Sequence, residues 1–314
     1  MVGYHQDNNM VTQCIICQSN RSKILYKIPD LQFERNEISA IYRQCEECGL
    51  IFLDRVASII DSYLDPLEYH HENHQNTTSC DIVFGLEKRK NFVYRFKKSG
   101  KLLDIGCGTG RFIFYLTKTA KKDWKAIGVE PDITSTNFGK EKYGVEIIND
   151  KFEDIHLDEK FDVITLWDVI EHVENPELLL KKAYSLLNEQ GIMIIRTPNY
   201  ESLDAKLFAE CWAGFDAPRH NFVFGKSLLV NLLKNHDFNI VYTTTKIGGY
   251  QNFLKSLSFY ISKKVNSPIL KKMILRMINS IFIKSVGYIV YNLFFSGQMG
   301  GEITICAQKR IYLP

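Results

Sequence analysis

One long stretch of this chain contains no acid. From Phe238 to Gly301 there is neither aspartate nor glutamate, yet Lys246, Lys255, Lys263, Lys264, Lys271, Lys272, Arg276 and Lys284 all fall within it. Taking those eight from the 39 basic residues leaves 31 basic against 36 acidic residues elsewhere. The net charge of +3 therefore says little about partners, whereas the segregation of charge says more. An apolar leader is also lacking: the N-terminal "MVGYHQDNNMVTQC" is polar throughout, which argues against a secretory signal. Of eight cysteines, four form two C-x-x-C pairs, while Cys80, Cys107, Cys211 and Cys306 are scattered. That usage fits metal binding in a reducing cytoplasm better than a disulfide framework, so a cytoplasmic protein is expected. The 314 residues, 45% of them hydrophobic, suffice for one large domain with an appended module.

The glycine-rich turn in "KLLDIGCGTGRF" (residues 101–112) lacks the spacing of a dinucleotide fingerprint. Counting from Gly106 and Gly108, the third glycine should stand at 111, which is Arg111, and instead stands at Gly110. The preceding strand ends in Asp104, whose charge would repel a pyrophosphate. The same charge suits a cofactor carrying an ammonium and a sulfonium, namely S-adenosylmethionine.

The cysteine pairs, Cys14-Ile-Ile-Cys17 and Cys45-Glu-Glu-Cys48, flank a 27-residue segment with two short strand patterns, "RSKILYKIP" and "EISAIYRQ". Two such knuckles complete a tetrahedral four-thiolate zinc site, and Gly49 stands where the second needs a tight turn. So small a module buries little core, so structural zinc, Zn2+ held by Cys14, Cys17, Cys45 and Cys48, is expected to fold it. His70, His71 and His74 in "YLDPLEYHHENH" lack partners at fixed ligand spacing and read as linker.

After a helical pattern at "DIVFGLEKRKNFVYRFKK", strands and helices alternate: "KLLDI", "RFIFYLTKTAKK", "WKAIGVE", a helix opened by Pro131-Asp132, "VEIIND", "FDVITLWDVIEHV", "PELLLKKAYSLLNEQG" and "GIMIIRTPN". Pro176 should open the last of these helices and Gly191 should stand just past its end. The alternation predicts an α/β fold, a Rossmann-like doubly wound parallel sheet. Glu130 ends the second strand 20 residues past Gly110, where a carboxylate can accept both ribose hydroxyls. The segments are then 1–60 (zinc ribbon), 61–99 (linker and leading helix), 100–246 (cofactor domain), 247–299 (basic apolar helical insert) and 300–314 (last strand).

"LLDIGCGTG", "GVEP", "FDVITLWDVIEHVENPELLL" and "GIMIIRTPN" resemble, in order and spacing, the motifs of class I S-adenosylmethionine-dependent methyltransferases of the type 11/type 23 group. The resemblance covers roughly residues 98–245 and resumes at "GEITICAQKR". It implies that Asp104, Gly106, Cys107, Gly108 and Gly110 wrap the methionine moiety, and that Glu130 holds the ribose. It further implies that Asp150 and Phe152 lie against the adenine, and that Trp167 and Asp168 line the floor near the sulfonium. For Phe152 and Trp167, core packing is an equal alternative. The N-terminal module resembles the zinc ribbon of certain bacterial sugar C-methyltransferases, a group with a longer C-terminal domain.

Methyl transfer needs a base when the acceptor is a hydroxyl or acidic carbon. His220, in "WAGFDAPRHNFVF", is the first candidate and His172, in "IEHV", the next. Asp216 could orient His220 if that segment is helical, and Arg219 could bind an acceptor phosphate. The resemblance of the ribbon to those of sugar methyltransferases, with a basic tail that suits a negatively charged or lipid-linked partner, implies a small-molecule or sugar-type acceptor. The other readings are a quinone or lipid, a protein or RNA, or a non-catalytic cofactor-binding adaptor. A nucleic-acid acceptor is disfavoured, because the fourth strand ends "LWDVIEH" and not in an Asn-Pro-Pro-aromatic loop. In the insert, "GYQNFLKSLSFYISKKV" and "SPILKKMILRMINSIFIKSVGYIVYNLFF" both read as helical. Lys272, Arg276, Ser280 and Lys284 recur every four residues of the second, a narrow polar stripe on an apolar cylinder. A membrane span is disfavoured, since Arg276 and Lys284 would each cost roughly 3 kcal/mol near a bilayer centre. Two readings remain: a lid over the active site or a dimer partner, and a peripheral membrane-surface element across 250–295.

Overall fold

Two cysteine turns hold the ends of a β-hairpin. In the computed structural model, which describes residues 13–55, 58, 79–119, 123–294 and 299–311, Ser22–Asp30 (β1) pairs antiparallel with Arg35–Cys45 (β2). Strand β2 pairs in turn with Ile51–Leu53 (β3). A fourth strand comes from far downstream: Phe222–Val223, the ninth of the chain (β9), pairs with β3. Sequence patterning misses it because two residues carry no period. The ribbon sheet, β1-β2-β3-β9, is thereby completed by the domain it is attached to.

The larger sheet has seven strands in the order β10-β11-β8-β7-β4-β5-β6. After helix α1 (Ser79–Phe96) come β4 (Gly100–Ile105), α2 (Arg111–Thr119), β5 (Trp124–Val129), α3 (Ile133–Tyr143) and β6 (Glu146–Ile148). Next are β7 (Phe161–Trp167), α4 (Pro176–Leu186), β8 (Leu187–Pro198), α5 (Leu203–Phe208), α6 (Lys226–Asn235) and β10 (Phe238–Thr244), with β11 (Glu302–Lys309) last. Strands β4 to β8 run parallel, and β11 lies antiparallel to both β8 and β10. The central strands are covered on both faces, hence the unbroken apolar runs: Leu102, Leu103, Val163, Ile164 and Leu166 are fully buried. Helix α3 starts where Asp132 accepts the Thr134 and Ser135 N–H groups and stops at left-handed Gly144.

Gly191 is not the stop of α4. The helix ends at Leu186, and residues 188–190 already belong to β8. A Cβ on Gly191 would lie 2.9 Å from the Asn188 carbonyl oxygen and 3.0 Å from that of Phe161. The glycine permits close backbone approach between neighbouring strands.

The insert also departs from a simple stripe. Its second helix is two, α8 (Pro268–Ile278) and α9 (Ile281–Phe294), following α7 (Tyr250–Lys264). The chain bends by 71° between them. Ser280 breaks the run, its hydroxyl accepting the Ile283 N–H as serines at helix starts do. Helix α7 packs on the body through Phe253 against Phe208, and Ser256 accepts the Ala213 N–H. Helix α9 is anchored by buried Tyr291, which donates to Asp204. Helix α8 buries no residue at all. Among the described residues, no single helix is long and apolar enough to cross a membrane.

Candidate active site

Three glycines at the carboxyl end of β4, Gly106, Gly108 and Gly110, all adopt positive φ (64°, 53° and 67°). The turn is pinned to β5 by the Gly106 and Cys107 N–H groups, which donate to the Val129 carbonyl. The Cys107 thiol faces back over β5, 2.3 Å from where a Cβ on Gly128 would stand, so its side chain fills the sheet side of the turn. At Gly108 a Cβ would meet nothing within 4 Å. That open side is where a ligand can approach the backbone.

Two buried carboxylates border it. Glu130 accepts from the Gly108 N–H (2.8 Å) and the Asp132 N–H (3.0 Å), so the residue at the end of β5 holds the turn in shape. Asp104 accepts from the Thr165 hydroxyl at 2.6 Å. Burial pushes its carboxyl up to about 7, against the opposing pull of Thr165 and Arg89 and with Glu130 adding to the rise. Nearby, Asn149 donates to the Glu130 and Pro131 carbonyls, and exposed Asp150 follows it. Phe152 is buried in the core with Lys182 5.0 Å over its ring. Trp167 is likewise buried, edge-on to Phe112 at 5.5 Å.

Asp168, left-handed at φ 61°, is tied to a charge network that periodicity could not reveal. It accepts two hydrogen bonds from Arg196 of β8 and lies 3.5 Å from Arg89 of α1. Arg196 reaches on to Glu302 of β11, and Arg89 covers the Trp167 ring at 5.1 Å. Burial would raise Asp168, and Arg196 outweighs it, holding the carboxyl below its ordinary range.

His172 and His220 meet beyond β7, their rings edge-to-face with centroids 4.6 Å apart. Glu171 joins them: one ligand atom from each of the three lies within 4.8 Å of the others. Each ring is set by a backbone carbonyl, that of Arg219 at 3.1 Å from His172 Nδ1 and that of Gly214 at 2.9 Å from His220 Nδ1. Burial lowers both imidazoles, and His220, with His172 adding, is pushed down to about 3. Burial also holds Glu171 well above the usual carboxylate range, with Asp168 adding. Sequence reasoning passed over Glu171, whose only signal was its place beside His172.

Two expectations about this loop are corrected. Asp216 does not orient His220, because the segment there is a left-handed turn rather than a continuing helix and the Gly214 carbonyl takes that role. Arg219 is not disposed to bind a phosphate: it forks onto Asp30 of β1 (2.8 and 3.0 Å) and onto Asp216 (3.0 and 3.2 Å). The ribbon thus builds this wall of the site. Tyr42 of β2 donates to the His220 carbonyl at 2.8 Å, and Asn221 donates to the His172 carbonyl at 2.6 Å.

In the ribbon itself, Cys14 and Cys48 bring their sulfurs to 3.6 Å, and Cys17 and Cys45 to 3.4 Å. Sulfurs around a tetrahedral zinc at about 2.3 Å stand about 3.8 Å apart, so the set fits one ion. The knuckles are alike: the Gln18 N–H returns to the Cys14 carbonyl and the Gly49 N–H to that of Cys45, both residues at positive φ. Gln18 conceals a turn that glycine advertises at Gly49. His70, His71 and His74 lie outside the described residues.

The sequence and the fold both have counterparts among known proteins. A ubiquinone biosynthesis O-methyltransferase of Rhodopseudomonas palustris is 30% identical over 104 residues, 32% of this chain and 40% of that one. Phosphoethanolamine N-methyltransferase 3 of Arabidopsis thaliana is 30% identical over 136 residues, 40% of this chain and 27% of that one. These matches therefore span less than half of the relatives' own length. Among solved structures, the plantazolicin methyltransferase BpumL, in complex with a triazolic desmethyl analogue and SAH, superposes with a TM-score of 0.51 at 17% identity. It covers 79% of this chain and 92% of that one. The family model described as a methyltransferase domain matches residues 73–243, more than half of the chain, from the leading helix to β10. With that match lying on a Rossmann-like α/β sheet and its glycine turn, the chain belongs to the methyltransferase-domain family.

Proposed function

We propose that the protein moves a methyl group from S-adenosylmethionine to a small-molecule acceptor. One observation carries the reading: three left-handed glycines form a turn at the end of β4, flanked by two buried carboxylates, Asp104 and Glu130. A cofactor with an ammonium and two ribose hydroxyls suits that pole, and the open side of Gly108 gives its backbone approach. Asp104, Gly106, Cys107, Gly108 and Gly110 then receive the methionine part and Glu130 the ribose. Asp150 lies against the adenine with Phe152 behind it, and Trp167 and Asp168 line the floor near the sulfonium. His172 and His220 face the acceptor, with turnover resting on approach geometry. Relatives named for ubiquinone biosynthesis and for phosphoethanolamine methylation support a small acceptor. Within that class we favour a sugar, because the ribbon resembles that of sugar methyltransferases. Cys14, Cys17, Cys45 and Cys48 hold a structural zinc ion in this reading.

The test is calorimetric titration with S-adenosylmethionine across pH. The Asp104 carboxyl ionises near 7 in the folded protein and about 4 when unfolded. The folded state holds the extra proton between those values, so this group lowers apoprotein stability as pH rises from about 4 to about 7. Cofactor affinity moves the other way, because only the ionised form attracts the ammonium. Affinity should rise about tenfold between pH 6 and 7.5, and Asp104→Asn should flatten the profile. No binding at any pH removes the proposal.

The insert supports a second element of this reading, contact with the cytoplasmic face of a membrane. Ile269, Met273 and Met277 of α8 are 75%, 63% and 55% exposed, and Ile289 and Leu293 of α9 are 60% and 73% exposed. Lys271, Lys272, Arg276 and Lys284 lie among them without one acid on either helix. Exposed apolar side chains beside these cations, of which Lys271 also meets Glu34 at 3.9 Å, match an anionic lipid surface, worth about 1 kcal/mol for each cation near it. The protein should float with vesicles rich in phosphatidylglycerol and stay behind with pure phosphatidylcholine. Reversing Lys271 and Lys272 to glutamate should abolish flotation. A soluble dimer that ignores vesicles would assign the apolar face to a second copy.

A further inference from the structure

We propose that Glu171, His172 and His220 form a binding site for a divalent cation, and that this cation takes an oxygen of the methyl acceptor. The inference rests on the methyl-transfer reading for its role in turnover, though not for its existence. Three observations carry it. One ligand atom of each side chain lies within 4.8 Å of the others, a spread that small side-chain movements close around one ion. Glu171 is wholly buried, and while its Oε2 accepts from the Thr197 hydroxyl at 3.0 Å, its Oε1 has no hydrogen-bond partner. A buried carboxylate oxygen left without a donor is costly unless a cation or a proton meets it.

The third observation is the tautomer. Each Nδ1 sits against a carbonyl oxygen, which only accepts, so in the neutral rings Nδ1 carries the hydrogen. The nitrogen each ring has to offer is then Nε2, with its lone pair. Metal-binding histidines are typically fixed through their other nitrogen in this way. Two imidazoles and one carboxylate suit Mn2+, Fe2+, Co2+ or Zn2+ better than Mg2+ or Ca2+, and three protein ligands leave positions open. The thiolates of the ribbon make the opposite choice.

The chemistry follows. An acceptor hydroxyl bound to the cation becomes more acidic and releases its proton to solvent water. The oxygen then forms its bond to the methyl carbon as the methyl–sulfur bond breaks, and the sulfonium leaves as a neutral thioether. The histidines serve here as ligands rather than as bases. The acceptor class is accordingly a hydroxyl compound, with neighbouring oxygens able to chelate.

The experiment uses the full chain with its ribbon saturated in zinc. Mn2+ is titrated and the free ion is followed by electron paramagnetic resonance, with Co2+ absorption as a second probe. The expected result is one Mn2+ per chain, bound at least tenfold more weakly in Glu171→Gln and in His172→Asn. The glutamine retains an acceptor for Thr197, and unchanged S-adenosylmethionine affinity in both variants shows that they are folded. Wild-type protein that binds cofactor but neither Mn2+ nor Co2+ overturns the site, as do variants that bind Mn2+ like wild type. Mn2+ bound without any cofactor binding would leave the cation site standing and remove the methyl-transfer reading instead.

Discussion

Glu130→Ala weakens S-adenosylmethionine binding by two orders of magnitude or more. The carboxylate has two tasks that alanine cannot share. In the free protein it accepts the Gly108 and Asp132 N–H groups and so shapes the glycine turn. In the proposed complex it also accepts the ribose hydroxyls with its remaining lone pairs. Hydrogen bonds to a charged group contribute about 1.5–3 kcal/mol each, so losing two amounts to at least 3 kcal/mol, about a hundredfold in affinity. Glu130→Gln, with one carbonyl oxygen left, should fall between the two. Calorimetry gives the affinities, and a melting curve shows whether the fold survives. An alanine variant that binds within threefold of wild type would take Glu130 out of the cofactor site.

Replacing Cys45 and Cys48 together by serine removes the zinc, unfolds the ribbon and abolishes turnover, while cofactor binding persists. The three strands share their buried side chains, among them Ile28, Ala40, Tyr42 and Ile51, with Trp212, Phe215 and Val223 of the larger domain. The cysteine knuckles themselves rest on a structural zinc, which contributes on the order of 10 kcal/mol. The loss does not stay local. Strand β3 pairs with β9, Tyr42 holds the His220 carbonyl, and Asp30 forks with Arg219 one residue before that histidine. Without the ribbon these three supports go, and the wall that carries His220 loses its position. The glycine turn, Asp104 and Glu130 touch none of them. Elemental analysis should find one zinc in wild type and none in the variant, with turnover lost and S-adenosylmethionine affinity within a few-fold. Zinc retained at full occupancy, or turnover unaffected, would contradict the assignment.

The glycine turn and the two carboxylates of the proposed cofactor end were legible because they are local. Asp104, the three glycines and Glu130 lie in consecutive strand–turn units, and the turn forces positive φ at positions where glycine announces it. The cysteine pairs were legible for the same reason, since each knuckle closes within five residues. The acceptor end was not. Glu171, His172, His220, Tyr42 and Asp30 come from four separate stretches of chain, and backbone carbonyls, invisible to any motif, decide which ring nitrogens remain available. Arg219 looked like a ligand for phosphate because its bidentate partner Asp30, 189 residues away, cannot be read from its neighbours.

The insert shows the same division on a larger scale. Charge segregation and helical content are properties of composition and period, and they stand in the sequence alone. The break at Ser280 is a short-range competition between a serine cap and one more helical turn, which period alone scores as continuous. Which face of each helix meets the body depends on Phe208, Asp204 and Lys88, residues remote in the chain that offer a ring, a carboxylate and an ammonium to α7 and α9. Sequence by itself determined the sheet, the glycine turn and the thiolate set, because backbone sterics and side-chain period act over a few residues. Tertiary structure alone decided what faces the acceptor, because burial, tautomer and ion pairing are set by whichever groups the fold brings within a few ångströms.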